Sequence, residues 1–116
     1  MSPFSERVRD ARLAMKRTHG RRYGTRATAE RLGVSHPYLA KVESGDAPPS
    51  DRVIRGLAEE LGEDPDELYA LAGVIPHDVR DAFRENAKLF KLVRTARDAS
   101  PDRIDRAVRR VREGEW

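Results

Sequence analysis

One stretch, GTRATAERLGVSHPYLAKVESGDAPPS from Gly24 to Ser50, constrains the fold of this chain more than any other. It reads as two short helices around a tight turn. Ala27, Ala29 and Leu32 fall on one face of the first helix. Gly33 breaks that helix, because glycine enters the left-handed region at little cost. Val34 is apolar, and Ser35 is a good N-cap for the second helix. Pro37 stands at the start of that helix, where its missing N–H is tolerated. Tyr38, Leu39 and Val42 supply its apolar side, and Gly45 ends it. Pro48 and Pro49 then make a stiff connector to Ser50, the cap of the next helix.

Helix, glycine turn, helix is the geometry that lays a short helix across a DNA major groove. Over residues 4–72 the chain resembles the Cro/repressor class of helix-turn-helix regulators, the XRE-like family. The resemblance is carried by Ala29, Leu32-Gly33-Val34-Ser35, Tyr38-Leu39, Val42-Glu43, Gly45 and Pro49-Ser50. It implies an all-α fold, a five-helix Cro/repressor-like domain over residues 1–73; the helical spacing of apolar residues beyond it adds a short C-terminal helical extension over 74–116. It also implies double-stranded DNA as a partner. In that family an arginine of the first helix pairs with the glutamate that closes the recognition helix, and Arg12 and Glu43 occupy those positions. The resemblance therefore implies a structural ion pair, against the alternative of a solvated Arg12. Such a pair orients two helices without adding much net stability, because desolvation opposes the attraction.

By the same residue-for-residue transfer, His36, Pro37 and Lys41 fall where relatives read bases, and Thr25 where they touch phosphate. Lys41 can donate to guanine O6 and N7 or to a phosphate, and His36 to a base or a phosphate. Pro37 or Ala40 can pack on a thymine methyl, and Tyr38 can reach a phosphate with its hydroxyl. Ser35 and Arg26 complete this face. The plainer readings are a solvent-facing His36 and a Tyr38 that mainly packs. No Asn or Gln stands here, which leaves adenine readout weak. Asp46 takes a place where many relatives carry a base, and it should repel a nearby phosphate. Thr28 replaces the family's usual leucine; half-buried, it can bond back to a helix carbonyl.

The segment KRTHGRRYGTR, residues 16–26, departs most from the family, whose members have a shorter connection here. Six of its eleven residues are Lys, Arg or His. Arg21 and Arg22 are either an arm that contacts phosphate or the minor groove, or part of a longer first helix and a solvated loop. The cap of the helix after it is Gly24 or Thr25.

Charge is divided along the chain in the same way. Residues 1–45 hold ten Lys and Arg against four Asp and Glu, a net +6; residues 46–75 hold two against eight, −6; residues 76–116 hold eleven against eight, +3. A polyanion would be steered to the first part; the plainer reading is that arginine is simply common in a high-GC coding background. No apolar run approaches the roughly 18 residues of a membrane span, the first residues MSPFSERVRD lack a secretory h-region, and cysteine is absent. The expectation is a cytoplasmic protein without disulfides or cysteine-bound zinc. His19, His36 and His77 are scattered, with no metal-ligand spacing and no phosphate-binding glycine loop, so no enzyme, cofactor or metal is expected.

Periodicity places the remaining helices. Phe4 to about Thr18 is the first, with Pro3 at its start and Ser2 or Ser5 as cap. Ser50 to Leu61 is the fourth, and Asp64-Pro65-Asp66-Glu67 opens the fifth; those carboxylates read as cap and first-turn acids rather than catalytic ones. Beyond the break at Gly73-Val74-Ile75-Pro76, helices are expected over His77 to about Arg84, Ala87 to Ala99, and from Ser100-Pro101 to about Glu113. They carry Phe83, Leu89, Phe90, Leu92 and a stripe of Ile104, Ala107, Val108 and Val111, which must be covered by the fifth helix or by a second subunit; the expectation is that residues 76–116 form a dimerisation or interaction region, with an extended monomer core as the alternative. The expected function is a sequence-specific transcriptional regulator, a repressor that binds two half-sites as a homodimer through residues 35–44. The competing function is an antitoxin-like or peptidase-controlled interaction protein whose C-terminal helices grip a partner protein.

Overall fold

A computed structural model describes residues 2–114; Trp116, which ends the sequence, lies outside them. The described residues are helical, with no strand. Among them are eight α-helices, five before Gly73 and three after it. The chain divides into two compact units, Met1–His77 and Asp78–Trp116.

The first unit begins with α1, Pro3–His19. Ser2 and Ser5 cap it reciprocally: the Ser5 amide donates to Ser2 Oγ at 3.1 Å, and the Ser2 amide donates to Ser5 Oγ at 2.9 Å. A single 3₁₀ turn, Gly20–Tyr23, comes directly after it. The basic segment is thus a lengthened first helix joined to a tight turn, with Arg21 and Arg22 on the turn itself. Next come α2, Thr25–Leu32, with Gly24 as its N-cap, and α3, His36–Ser44, with Ser35 as its N-cap. Gly33 between them has φ 72° and ψ 30°, the left-handed geometry the turn requires. α4 covers Asp51–Leu61 and α5 covers Pro65–Ala72, capped by Ser50 and Asp64.

Each helix turns an apolar stripe inward. Phe4 and Val8 of α1, Ala29 and Leu32 of α2, and Leu39 and Val42 of α3 meet Val53, Ile54, Leu57, Ala58 and Leu61 of α4 and Leu68 of α5. Full burial of an aliphatic side chain of this size stabilises by about 1.5–3 kcal/mol, which lets helices of eight to eleven residues persist. Gly56 allows α2 to approach α4, since a Cβ there would lie 2.7 Å from Leu32 Cδ2. Arg52 of α4 donates to the Leu32 carbonyl at 3.0 Å and so closes the end of α2 from outside.

Three features were not expected. Thr28 is fully buried, and its hydroxyl bonds to no helix carbonyl or other group; packing against the core wins over local back-bonding. Tyr69 of α5 joins the core beside Leu68. Its hydroxyl donates to Asp51 Oδ1. Asp51, the first residue of α4, is also a hub of contacts: its Oδ2 accepts the His77 amide at 2.9 Å, with His77 Nε2 3.7 Å away. The Tyr69 hydroxyl, then the His77 amide, hold the Asp51 carboxyl below its ordinary value. Burial, then the bond to Asp51, push the Tyr69 phenol up.

The second unit comprises α6, His77–Glu85 (whose first residue belongs with the first unit), α7, Lys88–Ala96, and α8, Pro101–Glu113. α7 begins and ends within the expected Ala87 to Ala99. α8 is capped by Ser100 as its sequence demands, the Arg103 amide donating to Ser100 Oγ at 3.3 Å. Phe83 and Phe90 stack at 4.7 Å between centroids. None of the residues in these three helices is buried within the unit.

Thr28→Val removes an unbonded buried hydroxyl at constant shape. It should raise stability by about 1 kcal/mol, or roughly 4–8 °C in Tm for a domain of this size; a lower melting temperature would mean that the hydroxyl has a partner. The lowered pKa of Asp51 makes its contribution fully present above the ordinary carboxyl pKa near 4 and lost as pH falls through the folded value. Thermal melts from about pH 6 downward should show this loss in the wild type, and Asp51→Asn should be less stable at about pH 6 with a flatter acid limb.

Candidate nucleic-acid interface

The inner side of α3 is fixed first, and that decides what its outer side presents. Leu39 and Val42 are in the core, and Glu43 is 7% exposed. Arg12 of α1, also 7% exposed, meets Glu43 in a two-pronged contact: Nε to Oε2 at 2.7 Å and Nη2 to Oε1 at 2.8 Å. The planar fork of the guanidinium matches the carboxylate, so the contact sets orientation as well as distance. The third Arg12 donor, Nη1, bonds the Tyr23 carbonyl at 3.0 Å. One buried guanidinium therefore holds the end of α3 and the 3₁₀ turn together.

With Leu39, Val42 and Glu43 inward, the roughly 100° step of a helix leaves His36, Pro37, Ala40 and Lys41 outward, and all four are exposed. Ser35 is exposed and occupied as a cap, its Oγ accepting the Tyr38 amide at 3.1 Å. Tyr38 is half-buried against the core, and its hydroxyl donates to the Pro48 carbonyl at 3.1 Å. Its only O–H is thus engaged, and a phosphate there would meet an acceptor lone pair unless that bond opens. Asp46 is turned onto its own helix end, accepting the Ser44 hydroxyl at 2.9 Å.

Arg21 and Arg22 are exposed on the 3₁₀ turn, Thr25 is half-buried as the first residue of α2, and Arg26 is exposed one position on. The turn is anchored by its last residue. The Tyr23 carbonyl takes Arg12, its ring stacks on His19 at 5.6 Å, and the Arg31 guanidinium lies 5.1 Å over its face. Arg31 in turn bonds Glu60 of α4 at 2.9 Å. Sequence reasoning missed this role of Tyr23; its one visible sign was an aromatic between Gly20 and Gly24 in an otherwise polar, basic stretch.

The assembled face offers guanidinium, ammonium, imidazole and hydroxyl groups, and the free amides at the start of α2, without a neighbouring acid that would hold a metal. Among the described residues no cluster of His, Cys, Asp or Glu could bind a metal ion, and no helix is long and apolar enough to cross a membrane. Groups of this kind suit phosphates and base edges.

Comparisons with known proteins agree with the geometry. A profile of the family described as Helix-turn-helix matches residues 8–68. Uncharacterized HTH-type transcriptional regulators from two strains of Mycobacterium tuberculosis are each 43% identical over 62 residues, covering 50% of this chain. The chain spans 44% of the length of these relatives. No solved structure matches it.

Arg12→Ala and Glu43→Ala each strand a buried charge, and each should cost about 3–5 kcal/mol, read by urea denaturation. The pair replaced together by Met and Leu should lose far less. Two single variants with unlike stabilities would show that the residues do not act as a unit.

Proposed function

This chain belongs to the Helix-turn-helix family, and we propose that it is a DNA-binding transcriptional regulator that works in the cytoplasm on chromosomal DNA. The observation that carries the reading is the division of α3. Its inner side is locked by core packing and by Arg12, while His36, Pro37, Ala40 and Lys41 stand exposed on a helix of nine residues. A helix of that length and bulk fits the major groove.

In this reading Lys41 donates to guanine O6 and N7 or to the adjacent phosphate. His36 and Ser35 meet the base edges or backbone at the N-terminal end of α3. Pro37 packs on thymine methyls. Thr25 and the first amides of α2 receive a phosphate, as a helix N-terminus does. Arg21, Arg22 and Arg26 add backbone charge beside it, and Tyr38 lines the flank. These phosphate contacts supply most of the affinity and make it salt-dependent, whereas α3 supplies the discrimination.

The regulator acts as a homodimer on two half-sites about one helical turn apart, the symmetry that two-fold binding to B-DNA demands. Occupying that span blocks polymerase, which makes the protein a repressor. Both the relatives' names, which call them transcriptional regulators, and the positive charge of residues 1–45 support the reading.

The test is binding to DNA fragments selected from random sequence, with fluorescence anisotropy then measured against salt. Lys41→Ala should weaken binding, relax discrimination at one base step and lower the slope of log K against log salt by roughly 1 if Lys41 reaches phosphate. Binding that Lys41→Ala leaves untouched would remove α3 from the interface.

A further inference from the structure

The second unit has a face without a cover. Leu92 is 59% exposed, Val93 53% and Val111 52%. With Ile104 and Val108 they line an apolar groove of roughly 470 Å³ between α7 and α8, and the charged residue of its lining is Arg112. Helical segments below about 40 residues rarely hold their fold unless something covers such a face.

The pattern along α8 selects the cover. Ile104, Val108 and Val111 recur at i, i+4 and i+7, the spacing of a seam between two helices. Asp105 and Arg112 stand one heptad apart on the same flank of that seam. The opposite flank carries Ala107 and Gly114, small and uncharged. A copy of α8 related by a two-fold axis runs antiparallel, so like flanks meet with reversed direction and Asp105 faces Arg112, twice. A parallel copy would set Asp105 and Arg112 against Ala107 and Gly114 and pair no charge. Arg103 and Arg110 lie farther round the helix, where solvent screens their repulsion.

We propose that the groove between α7 and α8 receives α8 of a second copy of this chain, antiparallel, with Asp105 of each protomer against the partner's Arg112. This rests on the homodimer reading above and specifies its surface and polarity. The small residues Ala96 and Ala107 let the helices approach closely at the centre, and the two ion pairs at the ends reject the parallel arrangement and a shifted register.

The test is sedimentation equilibrium of the full chain, with circular dichroism to show that helix content is kept. The wild type should dimerise. Asp105→Arg and Arg112→Asp each set like charges face to face at two symmetric places, and each should weaken the dimer about tenfold. The double variant, Asp105→Arg with Arg112→Asp, restores opposite charges and should return the dimer constant to near the wild-type value. A double variant no tighter than the singles, or singles as tight as the wild type, overturns the proposal while leaving a homodimer of another geometry standing. A monomeric wild type overturns both and returns the face to a partner protein. Anisotropy with a DNA site on the same samples separates this from the DNA reading: a dimer that obeys the charge swap yet binds no DNA upholds the proposal and sinks the DNA-binding function.

Discussion

The contact between Arg12 and Glu43 is the constraint on which the first unit turns. Two charges with 7% exposure each would be costly apart. Joined through two hydrogen bonds of 2.7 and 2.8 Å, with the third donor on the Tyr23 carbonyl, they tie three elements to one point. An apolar pair of similar volume would stabilise the core as well or better, but it would not fix the angle at which α3 leaves the core. Orientation is what a reading helix needs, because a base edge is met by a hydrogen bond with a narrow range of angles. The same guanidinium sets the turn that carries Arg21 and Arg22, so groups suited to phosphate and groups suited to bases derive their positions from one anchor.

The two units solve the problem of burial differently. The first has α4 at its centre, with five buried side chains that the other four helices cover. The second has amphipathic helices with no buried residue, α8 among them well capped at both ends. Caps and turns specify where helices begin and end, because those choices are local. They cannot supply a hydrophobic free energy, which depends on area removed from water. That is why α7 and α8 present a continuous apolar groove, and why the flank charges of α8 matter to what fills it.

Local imperfection in the first unit is also informative. Thr28 occupies a fully buried site without a hydrogen bond. Asp51 works in the opposite sense: one carboxylate gathers the Tyr69 hydroxyl and the His77 amide, so the N-terminus of α4, the side of α5 and the end of the first unit share a single acceptor.

The sequence alone determined most of the helices and their capped ends, while the basic segment between α1 and α2 was left to the structure. Ser2, Ser35, Ser50, Asp64 and Ser100 are caps because their short polar side chains reach amides two or three residues on. Gly33 ends α2 because of its own backbone freedom. The outward set on α3 was legible in the sequence as well. The pairing of Arg12 with Glu43 was legible only through family resemblance, since nothing local joins residues 31 positions apart. Tertiary structure decided the rest: that Arg12 also takes the Tyr23 carbonyl, that Arg52 closes α2, that Tyr69 and Asp51 bond, that Tyr38 is held by Pro48, and that Thr28 goes unbonded. These depend on which side chains are brought within about 3 Å by packing. Packing is a property of the whole set of helices, and no window of sequence contains it.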